Sequence, residues 1–99
     1  MWYAIEGYDG EGALARRGEH RPAHLARLMA LRDEGRLLLA GPCPAIDAED
    51  PGPAGFSGSI VIAEFPTLAD ARAWADADPY VGGGVYARTD VRAFKPVLP

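Results

Sequence analysis

The chain of 99 residues has one cysteine, Cys43, so neither an intrachain disulfide nor a multi-cysteine metal site is open to it. Histidine is scarce as well, with only His20 and His24. Their spacing of four can chelate a metal on a helix. No HExxH pattern accompanies them, however, and His20 precedes Pro22, before the helix is expected to begin. No metal and no cofactor is therefore expected. Basic residues are in deficit, 10 Lys and Arg against 14 Asp and Glu, for a net charge of -4. No basic cluster tracks along the chain, which argues against a nucleic-acid partner. No apolar run approaches the roughly 20 residues of a membrane span. The N-terminal MWYAIEGYDGEG lacks the basic segment and apolar run of a signal peptide. The expectation is a cytoplasmic protein with no membrane partner. No repeat at a solenoid period is present, so residues 1–99 are read as one domain.

What is present is globular composition, with 48% hydrophobic and 24% charged residues, which argues against disorder. A chain this short buries a modest share of its surface, and oligomerisation is a common remedy.

The pattern of elements follows from periodicity and punctuation. Trp2–Tyr8 is short and aromatic, closed by Asp9-Gly10, and reads as a strand. Glu11–Gly18 has helical composition but is expected to end at Gly18. In HRPAHLARLMALRDEGR, Pro22 suits the first turn of a helix. Leu25, Leu28, Met29 and Arg32 supply helical spacing and Gly35 the stop. Arg36–Ala40 is a second strand closed by Gly41-Pro42. Residues 42–58, PCPAIDAEDPGPAGFSG, read as a long loop, a kind that is often functional in small domains. Ser59–Phe65 is a third strand. Thr67, with Asp70 three residues on, caps a second helix whose inner face is Leu68, Ala71 and Ala75. Asp78-Pro79 ends that helix, and Val85–Phe94 is a fourth strand.

The order β-α-β-β-α-β matches the ferredoxin-like α+β arrangement, a four-stranded antiparallel sheet with two helices on one face. Strands two and three are apolar at consecutive positions (Leu37–Leu39 and Ile60–Ala63), so both of their faces are expected to be covered. Helices cover one face. A second copy of the sheet is the simplest cover for the other, which predicts a homodimer with sheets face to face and leaves higher assembly open.

Two residues stand out for chemistry. His24 lies in line with Leu28 and Leu31 on a helical wheel and so points inward, near the expected helix start. Burial and the helix dipole would disfavour its charge and a nearby carboxylate would favour it. Asp78, fixed by the proline after it, is the candidate carboxylate, since a His–Asp dyad needs one within reach of a ring nitrogen. The plain alternatives are a hydrogen-bonded core histidine and an aspartate that caps a turn with Pro79 at its first position. Arg21, three residues before His24, can hold an anionic group bidentately or sit solvated at the helix start. Ser59 has no evident activating base. Arg21, Gly41, Pro42, Phe56, Ser59 and Tyr86 are the expected wall of a site for a small-molecule ligand.

The stretches RPAHLARL, GRLLLAGP, VIAEF and WADADPYV followed by GVY and FKPV closely resemble the YciI-like proteins, over nearly the whole chain. That resemblance implies a ferredoxin-like fold dimerised into an α/β barrel, close to muconolactone-isomerase-like enzymes. It also implies a pocket with a histidine–aspartate pair, for which His24 and Asp78 are the matching residues. One characterised branch of the family removes chloride from a chlorinated hydroxyquinol, whereas most members have no established reaction. Two functions follow as expectations. One is cofactor-free acid–base catalysis (isomerisation, elimination or dehydrohalogenation) on a small oxygenated ring or lactone. The other is a non-catalytic dimer that binds a small ligand or serves another enzyme. Gly84 matches the family's glycine before the final strand, whereas Gly82 and Gly83 depart from its pattern, beside the site.

Overall fold

A computed structural model describes residues 1–99. The elements are β1 (Trp2–Asp9), α1 (Ala13–Asp33), β2 (Leu37–Pro44), β3 (Phe56–Glu64), α2 (Leu68–Asp76), a short α3 (Pro79–Gly82) and β4 (Tyr86–Phe94), with a 3-10 turn at Gly52–Ala54. The four strands form one sheet in the order β2-β3-β1-β4, all neighbours antiparallel. This is the ferredoxin-like α+β arrangement expected from the order of elements, in which β3 inserts between β1 and β2. No helix is long and apolar enough to cross a membrane.

The core lies between the sheet and the helices. Tyr3 and Ile5 of β1 and Val61 and Ala63 of β3 pack on Leu28 and Leu31 of α1 and on Ala71 and Ala75 of α2. The two alanines are almost fully buried, so α2 lies close to the sheet. Leu68, expected on that inner face, sits at the first turn and is half exposed. The Thr67 hydroxyl accepts from the Asp70 amide at 3.1 Å and donates to the Asp70 carboxylate at 3.0 Å, so the predicted cap is formed. Gly35, at φ 74°, supplies the left-handed turn after α1.

Three expectations are corrected. The first helix does not break at Gly18 or begin at Pro22; α1 runs without interruption through both. Pro22 lacks the N–H that would bond the Gly18 carbonyl four residues back. Both residues lie on the exposed side of α1, where solvent can serve that carbonyl. His24 is therefore mid-helix, and the argument from a nearby helix N-terminus does not apply. The inward stripe is Arg17, His24, Leu28 and Leu31, with Met29 and Arg32 exposed. Finally, β2 continues to Pro44, into the proline-rich run assigned to a loop, and β3 starts at Phe56. β2 is an edge strand, where a residue without an N–H is tolerated.

The far side of the sheet is uneven. Along β2 and β3 it exposes Leu39 and Ile60, while Ile62 beneath them is buried. Along β1 and β4 it carries charge, with Arg92 donating to Glu6 at 2.8 Å and Tyr8 donating to the same carboxylate at 2.9 Å. The two-faced apolar pattern thus belongs to half of the sheet only.

Candidate functional site

Between α1 and the β2–β3 edge lies a cleft of about 320 Å³. Its floor is Ala40, Pro42, Ser59 and Val61, and its wall is the α1 series from Arg17 to Arg32, closed at one end by Tyr80. In the register, Ala40 faces Val61 and Pro42 faces Ser59, so these side chains share the helix-covered side of the sheet.

His24 and Asp78 are both buried, each 6% exposed. His24 Nδ1 lies 2.9 Å from one Asp78 oxygen and 3.0 Å from the other. The first of those oxygens also accepts the Tyr80 amide at 2.8 Å. Asp78 is thus the cap of α3, with Pro79 at its first position, and the partner of His24 at once. The Tyr80 ring stacks on the imidazole, 3.8 Å between centroids and 5° from parallel, and Tyr86 stands edge-on to both rings. With Nδ1 held by the carboxylate, Nε2 is left without a protein hydrogen bond. The one unpartnered polar side-chain atom sealed from solvent is Arg27 Nη1. His24 Nε2 is therefore reachable through the cleft that its ring lines.

A second polar assembly adjoins the first. Arg17, 7% exposed, donates from Nε and Nη2 to the two Asp9 oxygens at 2.7 and 2.9 Å. Its Nη2 also donates to the Gly58 carbonyl and the Ser59 hydroxyl, each at 3.0 Å. The guanidinium lies over the rings of Phe56 and Tyr80. Burial pulls its pKa down, but the hydrogen bond and charge of Asp9 outweigh that and leave it raised. Burial pushes the Tyr86 phenol up to about 12, against the opposing hydrogen bond from Ser59. Tyr80 is raised chiefly by burial.

The expected wall residues divide. Arg21, Gly41, Pro42 and Ser59 line the cleft together with His24. Phe56 and Tyr86 do not; Phe56 lies behind Arg17, and Tyr86 packs behind Tyr80 and over Gly7, where an added Cβ would meet the Tyr86 ring at 2.4 Å. Gly82 and Gly83 also lie outside the cleft lining. Sequence reasoning missed Arg17, Asp9 and Tyr80. Arg17 stands seven residues before His24, on the same face of an unbroken helix, so the signal was present once Gly18 is read through.

Residues 1–95 match the YCII-related domain. The chain is 60% identical over 98 residues to Protein YciI of Escherichia coli O6:H1, covering 99% of this chain and all of that one. It is 53% identical over 98 residues, with the same coverage, to an uncharacterised protein of Haemophilus influenzae. Among solved structures it is similar to 5-chloro-2-hydroxyhydroquinone dehydrochlorinase from Burkholderia phenoliruptrix AC1100, in complex with 2,5-dihydroxybenzoquinone. The TM-score is 0.82 at 26% identity, over 96% of this chain and 94% of that one.

Proposed function

The chain belongs to the YCII-related domain family, and on that footing we propose that its cleft performs cofactor-free acid–base chemistry on a small oxygenated ring. The observation that carries this reading is the division of labour on one buried imidazole. Asp78 holds Nδ1, and Nε2 is reachable from the cleft. A carboxylate acceptor keeps the neutral ring as the Nδ1–H tautomer, with its Nε2 lone pair available as a base. Nε2 takes a proton from a ring carbon or hydroxyl, and the electron pair moves onto a ring oxygen as an enolate. Returning the proton at another carbon gives isomerisation. Loss of a halide with the electron pair gives elimination, the proton staying on His24 until solvent removes it. General base catalysis of this kind contributes roughly 100- to 10,000-fold. The dehydrochlorinase similar in structure favours the elimination branch.

The test is a panel of chlorinated and enolisable hydroxylated rings, 5-chloro-2-hydroxyhydroquinone included, read by chloride release and by solvent-deuterium uptake. Wild type should turn over and His24→Ala should lose at least 100-fold, the order of a general base. Equal rates in the two proteins, or no uptake in either with tight binding intact, would favour the ligand-binding reading.

We further propose that two copies pair through the far face of the sheet, where Leu39 and Ile60 are exposed along β2 and β3. Sedimentation should give a dimer for wild type and a monomer for Ile60→Glu.

A further inference from the structure

We propose that the outer half of the cleft, between His24 and Arg32, is a subsite for an apolar substituent, so that the ring bound at His24 carries an alkyl chain or a second ring rather than standing bare. The inference rests on reading the cleft as a ring-binding site, and it names the class of ring.

The cleft is larger than its chemistry requires. An apolar cavity of about 150 Å³ is enough to hold benzene, whereas the cleft has about 320 Å³. A single ring at His24 therefore leaves roughly half of the space open. The direction of the excess is fixed by the lining. Toward the N-terminus of α1 the cleft is polar, with Arg17, Arg21 and Ser59, and Tyr80 closes it where that ring stacks on the imidazole. An apolar group is directed the other way, along α1 toward Arg32. At about 1.5 Å of rise per residue, Met29 stands roughly 7–8 Å beyond His24 and Arg32 roughly 12 Å.

In that direction the lining turns apolar on both sides at once. On α1 the cleft-facing residues after His24 are Leu25, Leu28 and Met29. On the sheet, Pro42 pairs with Ser59 at the reactive end, Ala40 pairs with Val61 next, and Leu37 lies beyond. No polar side chain enters the lining between His24 and Arg32. Leu28 and Val61 are buried and form the base. Leu25 and Leu37 are only partly buried and Met29 is 45% exposed, so apolar surface is left uncovered at the rim. Water held there finds no side-chain partner, and an apolar group displaces it favourably. Methionine is unbranched and adapts to substituents of different shape. Arg32, exposed and paired with Asp33 at 3.2 Å, marks the outer end.

The test is calorimetry on three rings with one head group, 2,5-dihydroxybenzoquinone bearing hydrogen, methyl or propyl on carbon 3. Each buried carbon contributes about fourfold in affinity, so the propyl ring should bind wild type about 60-fold more tightly than the bare ring. The readout is that ratio. Two variants at exposed positions alter the outer half without entering the core. Met29→Glu sets a charge in it, and Ala40→Phe fills it while making it more apolar. Both should cut the ratio to about fourfold or less. A surface that is merely greasy would keep or raise the ratio in Ala40→Phe. A wild type that binds the bare and propyl rings alike, or a ratio retained in either variant, overturns the proposal. So does a propyl ring that dissociates a wild-type oligomer in sedimentation, which would assign the groove to a second copy. His24→Ala should keep the ratio. Equal turnover in His24→Ala and wild type would therefore remove the acid–base reading and leave this one, whereas a wild type that binds none of the three rings removes both.

Discussion

Replacing Asp78 by asparagine isolates what the carboxylate does for His24. Asp78 accepts from His24 Nδ1 through both oxygens and from the Tyr80 amide through one of them. Asparagine keeps the carbonyl oxygen that caps α3 but turns an N–H donor toward Nδ1. Nδ1–H then meets a donor in place of one of its two acceptors, which favours the tautomer that carries the proton on Nε2 and accepts that N–H at Nδ1. The lone pair that served the cleft is then gone. A charge-assisted hydrogen bond of about 1.5–3 kcal/mol is exchanged for a neutral one of about 0.5–1.5 kcal/mol. The expected loss of stability is about 1–2 kcal/mol, or roughly 5–15 °C in Tm for a domain near 100 residues. Asp78→Ala removes the cap as well, about 1 kcal/mol, and strands a buried donor at about 1–3 kcal/mol. The two variants should therefore separate clearly in thermal denaturation. The decisive assay is long-range proton–nitrogen NMR of His24 at alkaline pH, where imidazoles are neutral. It should show Nδ1–H in wild type and Nε2–H in Asp78→Asn. Any catalysis should fall by about 10,000-fold, the usual effect of the wrong tautomer. A variant that keeps Nδ1–H would refute the reasoning, because the carboxylate would then not be setting the tautomer.

Two further outcomes are expected. The three consecutive glycines should respond unequally to alanine. Gly84, at φ 74°, should cost about 1–2 kcal/mol. Gly83, where a Cβ would meet the half-exposed His20 ring at 2.3 Å, should cost less, because that ring can swing outward. Gly82, with nothing near, should be neutral or slightly stabilising. Chemical denaturation should reveal the order. The second outcome concerns alkali. Tyr86 keeps its proton in the fold up to about pH 12, whereas an unfolded tyrosine loses it near 10. Between those values the unfolded chain binds fewer protons, so stability should fall as pH rises, by up to roughly 3 kcal/mol. Denaturation midpoints from pH 9 to 12 should show that slope, and Tyr86→Phe should flatten it. An equal slope in the variant would assign the effect elsewhere.

The sheet and its helices were legible because their signals are local: aromatic and β-branched runs, a Thr67 cap, a Gly35 stop. His24 was legible as inward-facing because its spacing to Leu28 and Leu31 does not depend on where the helix begins. Asp78 was ambiguous for a physical reason. Capping a turn and orienting an imidazole use different lone pairs of one carboxylate, so the two readings were never exclusive. Arg17 was lost through a single wrong boundary. Glycine and proline each disfavour a helix, and Gly18 and Pro22 together read as a break. They stand four apart on the exposed side of α1, however, so the damage is one hydrogen bond at a place where water can replace it. If Gly18 is only tolerated, Gly18→Ala should stabilise the protein by about 0.5–1 kcal/mol, because alanine restricts the unfolded chain. An added Cβ there meets nothing within 4 Å, Pro22 included. Melting temperature should rise by roughly 2–8 °C. A fall would mean that glycine is required to let the chain pass Pro22, and that the continuity of α1, which brings Arg17 and His24 onto one face, depends on it.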